Sequence, residues 1–172
     1  MGILSGNPKD EPMHYGEISE VWAFSAKAKG MLSAYEALQY HAGDKDLKGM
    51  LEKLIDQSRK EIMECDELLT ANGITPAPGY PERPEVKLED IPAGARFTDP
   101  EIAAKIAADV SMGLVGCSTI MGTCIREDIG ALFAKYHTVL LSFNTQILRM
   151  NKDKGWLIPP PLHVKRPELV EV

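Results

Sequence analysis

The amino-acid sequence predicts an all-α protein, a four-helix bundle, and three observations lead to this prediction. Four segments carry apolar residues at alternating gaps of three and four positions, which places those residues on one side of an α-helix. Short turns separate the first segment from the second and the third from the fourth. A long proline-rich stretch separates the second from the third, so one connection is expected to cross the bundle.

The first helix is predicted at residues 17–42 and the second at residues 45–72. Gly43 suits the residue after a helix end, and the Asp44 side chain suits the cap of the helix that follows. Because the turn between them is short, the two helices are expected to pack as antiparallel neighbours. The second helix has a regular apolar stripe, which Glu61 interrupts near the centre.

Residues 73–98 hold five of the chain's twelve prolines, too many for a helix or an inner strand. At roughly 3 Å per residue this stretch is long enough to run the full length of the bundle. A long crossover of this kind distinguishes ferritin-like bundles from simple up-and-down ones, so the predicted fold is ferritin-like. Four apolar residues are expected to hold the stretch against the helices: Val86, Leu88, Ile91 and Phe97.

The third helix is predicted to start after Thr98, a capping residue followed by Pro100 in the first turn and by Glu101. It runs to about Cys124. Small residues are frequent along it: Ala103, Ala104, Ala107, Ala108, Ser111, Gly113, Gly116, Ser118 and Gly122. Small side chains let a neighbouring backbone approach closely, but they leave less volume to fill the core.

The fourth helix is predicted to begin between Gly122 and Glu127, and it has the clearest apolar stripe. The gaps along this stripe are 3, 4, 4, 3, 4 and 3 between the following residues: Ile129, Leu132, Tyr136, Leu140, Phe143, Ile147 and Met150. Gly155 and the prolines at 159–161 end the helix, because glycine suits the position past a helix end and proline cannot continue one.

Length and composition indicate one domain at residues 16–161, between a flexible leader at 1–15 and a surface tail at 162–172. The net charge of −6 argues against nucleic-acid binding. The N-terminus lacks a basic start followed by an apolar run, and nowhere do 18 apolar residues occur together, so neither a signal peptide nor membrane insertion is expected. Three cysteines without a CxxC pair suit free thiols in a reducing compartment such as the cytoplasm.

Three sequence strings occupy helix ends: EISEVW opens the first helix, IREDIGALF opens the last, and KGWLIPPP closes it. With the proline-rich crossover, they resemble a ferritin-like spore coat protein family of spore-forming bacteria, related to spore coat protein F. The resemblance covers residues 17–161. It implies a homodimeric bundle, made in the mother-cell cytoplasm during sporulation and deposited in the spore coat beside other coat proteins. Trp22 and Trp156 are expected at an oligomer contact or packed on the bundle end.

Ferritin-like di-metal proteins place Glu on two helices and Glu-x-x-His on each of the other two. Here the only such match, residues 11–14, lies in the leader, so the chain departs from that pattern. A reduced site is the alternative, in which Glu61 and His137 lie at similar depth and hold one divalent metal such as Fe, Mn or Zn. Asp109 and Tyr35 are expected toward the other half of the bundle.

Three functions therefore remain open at the level of sequence. The first is a non-enzymatic structural or interaction protein of the spore coat without a cofactor, in which Glu61 makes only a polar contact. The missing Glu-x-x-His favours it. The second is a metal-binding or redox protein that uses Glu61 and His137. The third is a carrier of a small ligand, since a Gly/Ala-rich third helix can leave a cavity between helices.

Overall fold

The computed structural model describes residues 10–163 and contains four long α-helices, which confirms the predicted all-α bundle. The helices are α1 (Tyr15–His41), α2 (Lys45–Ala71), α3 (Asp99–Thr123) and α4 (Glu127–Asp153). No strand occurs in residues 10–163, and two short 3-10 turns lie between α2 and α3, at Leu88–Asp90 and Ala93–Ala95. Most of the predicted leader and tail lies outside the described residues.

The helices pack as two antiparallel pairs, α1 with α2 and α3 with α4, and α1 also contacts α3. Asp99, at the start of α3, accepts hydrogen bonds from the backbone N–H groups of Gly43 (2.8 Å) and Asp44 (3.0 Å), just before α2. At the opposite end, Arg126 before α4 donates to Asn72 after α2. Helices α2 and α3 therefore run in the same direction, and their connection joins opposite ends of the bundle.

The connection at residues 72–98 follows α1 along its length. Near the start of α1, Trp22 Nε1 donates to the Thr75 carbonyl (3.2 Å). At the end of α1, His41 Nδ1 accepts from the Phe97 N–H (3.2 Å). Side chains of α1 thus supply hydrogen-bond partners to an extended backbone that has no neighbouring strand.

The expected hydrophobic anchoring of this connection is not observed, because none of the four apolar residues is buried: Val86, Leu88, Ile91 and Phe97. The buried ammonium group of Lys29 holds the connection against the helices instead. Lys29 of α1 is 8% exposed, and its ammonium donates to Asp66 of α2 (2.6 Å) and to the carbonyl of Ala77 in the connection. One lysine therefore joins α1, α2 and the connection, because a buried charge is stable only when it is paired.

The core is a continuous cluster of buried apolar side chains from all four helices. Phe24 of α1 meets Phe133 edge-on, with ring centroids 4.9 Å apart, and stacks on Tyr136 at 5.9 Å. Trp156, which follows α4, packs against the same cluster, and the Lys154 ammonium lies 5.6 Å from its ring centroid. Both tryptophans of the chain therefore have contacts within the chain.

A buried polar junction joins three helices at the end where α1 and α4 begin. Glu17 Oε1 accepts from the backbone N–H groups of Ile125 (2.8 Å) and Arg126 (2.9 Å). The Arg126 guanidinium, 2% exposed, forms a bidentate pair with Asp128 (2.7 and 3.0 Å). It also donates to Asn72 Oδ1 (2.9 Å) at the end of α2. The junction therefore holds the start of α1, the end of α2 and the α3–α4 turn together.

Replacing Arg126 by Met should lower the free energy of unfolding by about 3 kcal/mol, because Asp128 and Asn72 lose a buried partner. Arg149→Met is the matched control. Arg149 is exposed, and its closest approach to Asp153 is 3.8 Å, so a change within about 0.5 kcal/mol is expected. Urea denaturation followed by circular dichroism measures both variants, and equal losses would contradict the role of the junction.

Candidate functional site

A cavity of about 270 Å³ lies between α1 and α3. Its apolar lining comes from three helices: Ala23, Phe24, Ala28, Met31, Met112 and Leu140. It opens to solvent, since Ala23 and Met112 are exposed. Gly116 of α3 also lines it, and a Cβ added there would meet no atom within 4 Å. The small residues of α3 therefore leave unfilled space beside the core, the feature expected of a ligand carrier.

Glu61 of α2 lines this cavity and is buried. Its Oε1 accepts a hydrogen bond from Gln57 Nε2 (2.8 Å), one turn earlier on the same helix. Burial raises the pKa of Glu61 to about 7; the charge of Glu64 adds to this increase, and the hydrogen bond from Gln57 opposes it. The Glu61 carboxyl therefore gains and loses its proton near neutral pH.

Asp109 of α3 lines the same cavity and is also buried, with Oδ2 accepting from the exposed end of Lys105 (2.7 Å). The fully buried Tyr35 hydroxyl lies near Asp109, although neither Asp109 nor any other group among residues 10–163 meets the geometry of a hydrogen bond to it. Burial raises the pKa of Tyr35, and the proximity of the Asp109 carboxyl, followed by the charge of Glu61, adds to this increase. The structure thus brings Glu61 together with Asp109 and Tyr35, contrary to the expectation that these two lie in the other half.

His137 is half-buried on α4 and does not line the cavity that contains Glu61. Among residues 10–163, no three His, Cys, Asp or Glu side chains are grouped so that they can hold a metal ion. A two-residue metal site at Glu61 and His137 stays a prediction. The leader's Glu-x-x-His match has a structural role, since its His14 caps α1 and accepts from the Gly16 N–H (2.9 Å).

The three cysteines are free thiols, with Cys65 and Cys117 buried and Cys124 half-buried. Burial raises the pKa of Cys65 and of Cys117 to about 12. The thiolate is the reactive form of cysteine, so these two residues are poor nucleophiles at neutral pH. They act as small core side chains, as the sequence predicts.

The outer sides of α3 and α4 form a surface without charged side chains, called here the α3–α4 face. Its residues recur at gaps of three and four, and all are exposed: Ala104, Ala108, Ser111, Val115, Ser118 and Gly122 on α3, and Ala134, Thr138, Leu141, Thr145 and Leu148 on α4. Val115 is 67% exposed and Leu141 51%. Because α3 and α4 are antiparallel neighbours, their two stripes lie side by side. An exposed surface of small, aliphatic and hydroxyl side chains without charge is a candidate interaction site.

One helical stretch within the described residues, Ala93–Thr123, is long and apolar enough to cross a membrane by length and composition alone. Only 28% of its most apolar window is buried. The core helix of a soluble bundle is usually mostly buried, so this low value reflects the exposed side of α3. The low burial of this stretch and the α3–α4 face therefore have the same origin, which is an uncharged side of α3 that the other described helices do not cover.

Comparison with known proteins shows the family. The sequence matches, over residues 1–169, the family described as "Protein of unknown function (DUF3231)". The chain belongs to the DUF3231 family. It is 47% identical over 166 residues to "Uncharacterized protein YvdQ" of Bacillus subtilis strain 168, and the match covers 96% of this chain and 98% of that relative.

A crystal structure from Bacillus halodurans C-125 has the same fold as this DUF3231 chain, with a TM-score of 0.90. The two sequences are 45% identical, and the match covers 92% of this chain and 100% of the other. The Bacillus halodurans protein is described as a "putative spore coat protein". These findings confirm the family that the helix-end strings predict.

Sequence reasoning identified Glu61 but not the role of Asp109. A usable signal existed, because Asp109 follows Ile102 and Ile106 at gaps of four and three and so lies on the buried side of α3. Glu17 and Arg126 carry no comparable signal. They meet across 109 positions of the chain, and only the folded structure brings them together.

The raised pKa of Glu61 predicts a pH-dependent stability. The folded protein keeps a proton that the unfolded chain releases at about pH 4.5, so the contribution of Glu61 is complete below that pH. It is lost as the pH rises through about 7. Relative to Glu61→Gln, the wild-type free energy of unfolding should fall by up to about 3 kcal/mol over this range. Urea denaturation at several pH values measures it, and parallel pH profiles would contradict it.

Proposed function

We propose that this DUF3231 protein is a non-enzymatic structural protein of the spore coat that works as a homodimer. The α3–α4 face carries the proposal, because it is long, exposed and without charge in a chain whose net charge is −6. Two copies that met through most other surfaces would bring like charges together. Two copies that met through the α3–α4 face would bring no like charges together, because the face has no charged side chain.

The α3–α4 face supplies the centre of a dimer interface. Its stripe on α3 runs from Ala104 to Gly122, which is about 27 Å of helix, and two helices side by side are about 20 Å wide. The face therefore covers about 550 Å², and the side chains around it would supply the rest of the roughly 800 Å² that each partner buries in a stable interface of standard size. Its exposed aliphatic side chains, such as Val115 and Leu141, supply the apolar centre that such an interface needs.

The face is also suited to a second copy of itself. A two-fold axis places the same patch opposite itself, so a patch without charge meets a patch without charge. The small residues Ala104, Ala108 and Ser111 let helices of two copies approach closely. A membrane surface or another coat protein is the competing occupant, and the oligomeric state distinguishes these from a second copy.

The proposed location follows from the family. The Bacillus halodurans relative is described as a "putative spore coat protein", and this chain matches it over almost its full length. We place synthesis in the mother-cell cytoplasm and the final location in the coat, where other coat proteins would be its neighbours. The parallel α2 and α3 helices and their end-to-end connection support a ferritin-like architecture for this role.

Replacing Leu141 by Glu should reduce incorporation into the coat at least tenfold, because it adds one charge to each of the two apposed faces, and these two charges would have to be desolvated at the interface. Met63→Glu is the matched control, since Met63 is equally exposed but lies on α2, away from the face. Immunoblots of coat extracts from sporulating Bacillus cells that produce each variant measure incorporation.

Both variants must first show unfolding curves close to the wild-type curve, so that loss of folding is not mistaken for loss of assembly. Wild-type incorporation of Leu141→Glu would contradict the proposal. An equal loss for Leu141→Glu and Met63→Glu would contradict it as well, because the effect would then come from added charge anywhere on the surface.

A further inference from the structure

We propose that the cavity between α1 and α3 binds a small organic cation, an apolar molecule with one protonated amine. The apolar walls would hold the body of the ligand, and the buried carboxylates of Glu61 and Asp109 would hold its ammonium group. No residue of the α3–α4 face lines this cavity. The inference is therefore independent of the proposed function and goes beyond it.

The volume sets the size of the ligand. A buried apolar cavity of about 150 Å³ is enough to bind benzene, so 270 Å³ suits a molecule of about ten non-hydrogen atoms. Phe24, Met31 and Leu140 supply large apolar contacts. Methionine adapts to ligands of different shape because its side chain is unbranched and flexible.

The carboxylate oxygens that line the cavity favour a ligand whose polar group donates several hydrogen bonds. Glu61 uses Oε1 for Gln57, and Asp109 uses Oδ2 for Lys105, which leaves Oε2 and Oδ1 for a ligand. An ammonium group offers three donors and no acceptor, which matches this set.

The charges favour a cation over an anion. Above pH 7, where Glu61 is mostly ionised, two buried carboxylates lie beside one partly exposed ammonium, that of Lys105, so a bound cation would offset the remaining negative charge. At the opening, Glu20 and Lys27 carry opposite charges and do not select for either sign. A carboxylate ligand would lie against two buried carboxylates, which is strongly unfavourable.

Isothermal titration calorimetry at pH 8, where Glu61 is mostly ionised, tests the inference with three probes of matched shape: 3-phenylpropylamine, 3-phenylpropan-1-ol and 3-phenylpropanoate. The wild-type chain should bind the amine at least tenfold more tightly than the alcohol and should not bind the propanoate. In Glu61→Gln the preference for the amine over the alcohol should fall to less than about threefold.

Gly116→Leu places a side chain in the cavity and should remove binding of every probe. Because leucine favours a helix more than glycine does, this variant should remain folded. Gly49→Leu is the matched control, since an added Cβ there also meets no atom within 4 Å and Gly49 lies on α2 outside the cavity. It should bind the amine as the wild type does.

Three results would overturn the inference. Equal affinity for the amine and the alcohol would mean that the cavity is only apolar. Wild-type binding by Gly116→Leu would place the site elsewhere on the protein. No binding of any probe at millimolar concentration would mean that the cavity takes no ligand of this class.

Discussion

The bundle depends first on the buried junction of Glu17 and Arg126. Glu17 accepts hydrogen bonds from the backbone N–H groups of the two residues that precede α4. The Arg126 guanidinium pairs with Asp128 and donates a hydrogen bond to Asn72, which follows α2. These groups are costly to bury unless every one has a partner, so the junction permits one arrangement of the helix ends. The register of α3 against α1 follows from it, and with that register the positions of the cavity and of the α3–α4 face.

The composition of α3 then explains both candidate interaction sites. On the side toward α1, Gly116 leaves a void that Glu61 and Asp109 line, whereas Gly113 makes room for the Leu140 side chain. On the outer side, the exposed stripe of α3 consists of alanine, serine and glycine residues and Val115, which together form a surface without charge. A helix that had to complete the core by itself would carry larger residues inward and charged residues outward. The unusual composition of α3 therefore accounts for both the cavity and the uncharged outer surface.

Much of the fold was predictable from sequence because its signals are local. The apolar stripes, the turn at Gly43 and the capping sequence after Thr98 each specify a helix or a helix end within a few residues. The site was only partly predictable. Glu61 was identified as a carboxylate in an apolar stripe, but its proximity to Asp109 depends on how α2 and α3 pack, and periodicity along one helix carries no information about that.

The mass of the wild-type chain in solution, measured by sedimentation equilibrium at micromolar concentration, tests the role of the α3–α4 face most directly. A dimer is expected, with twice the 18.9 kDa of one chain, because the uncharged α3–α4 face would form the centre of an interface with a second copy. A mass of 18.9 kDa throughout the micromolar range would contradict it, and the exposed side of α3 would then have to be covered by a different partner.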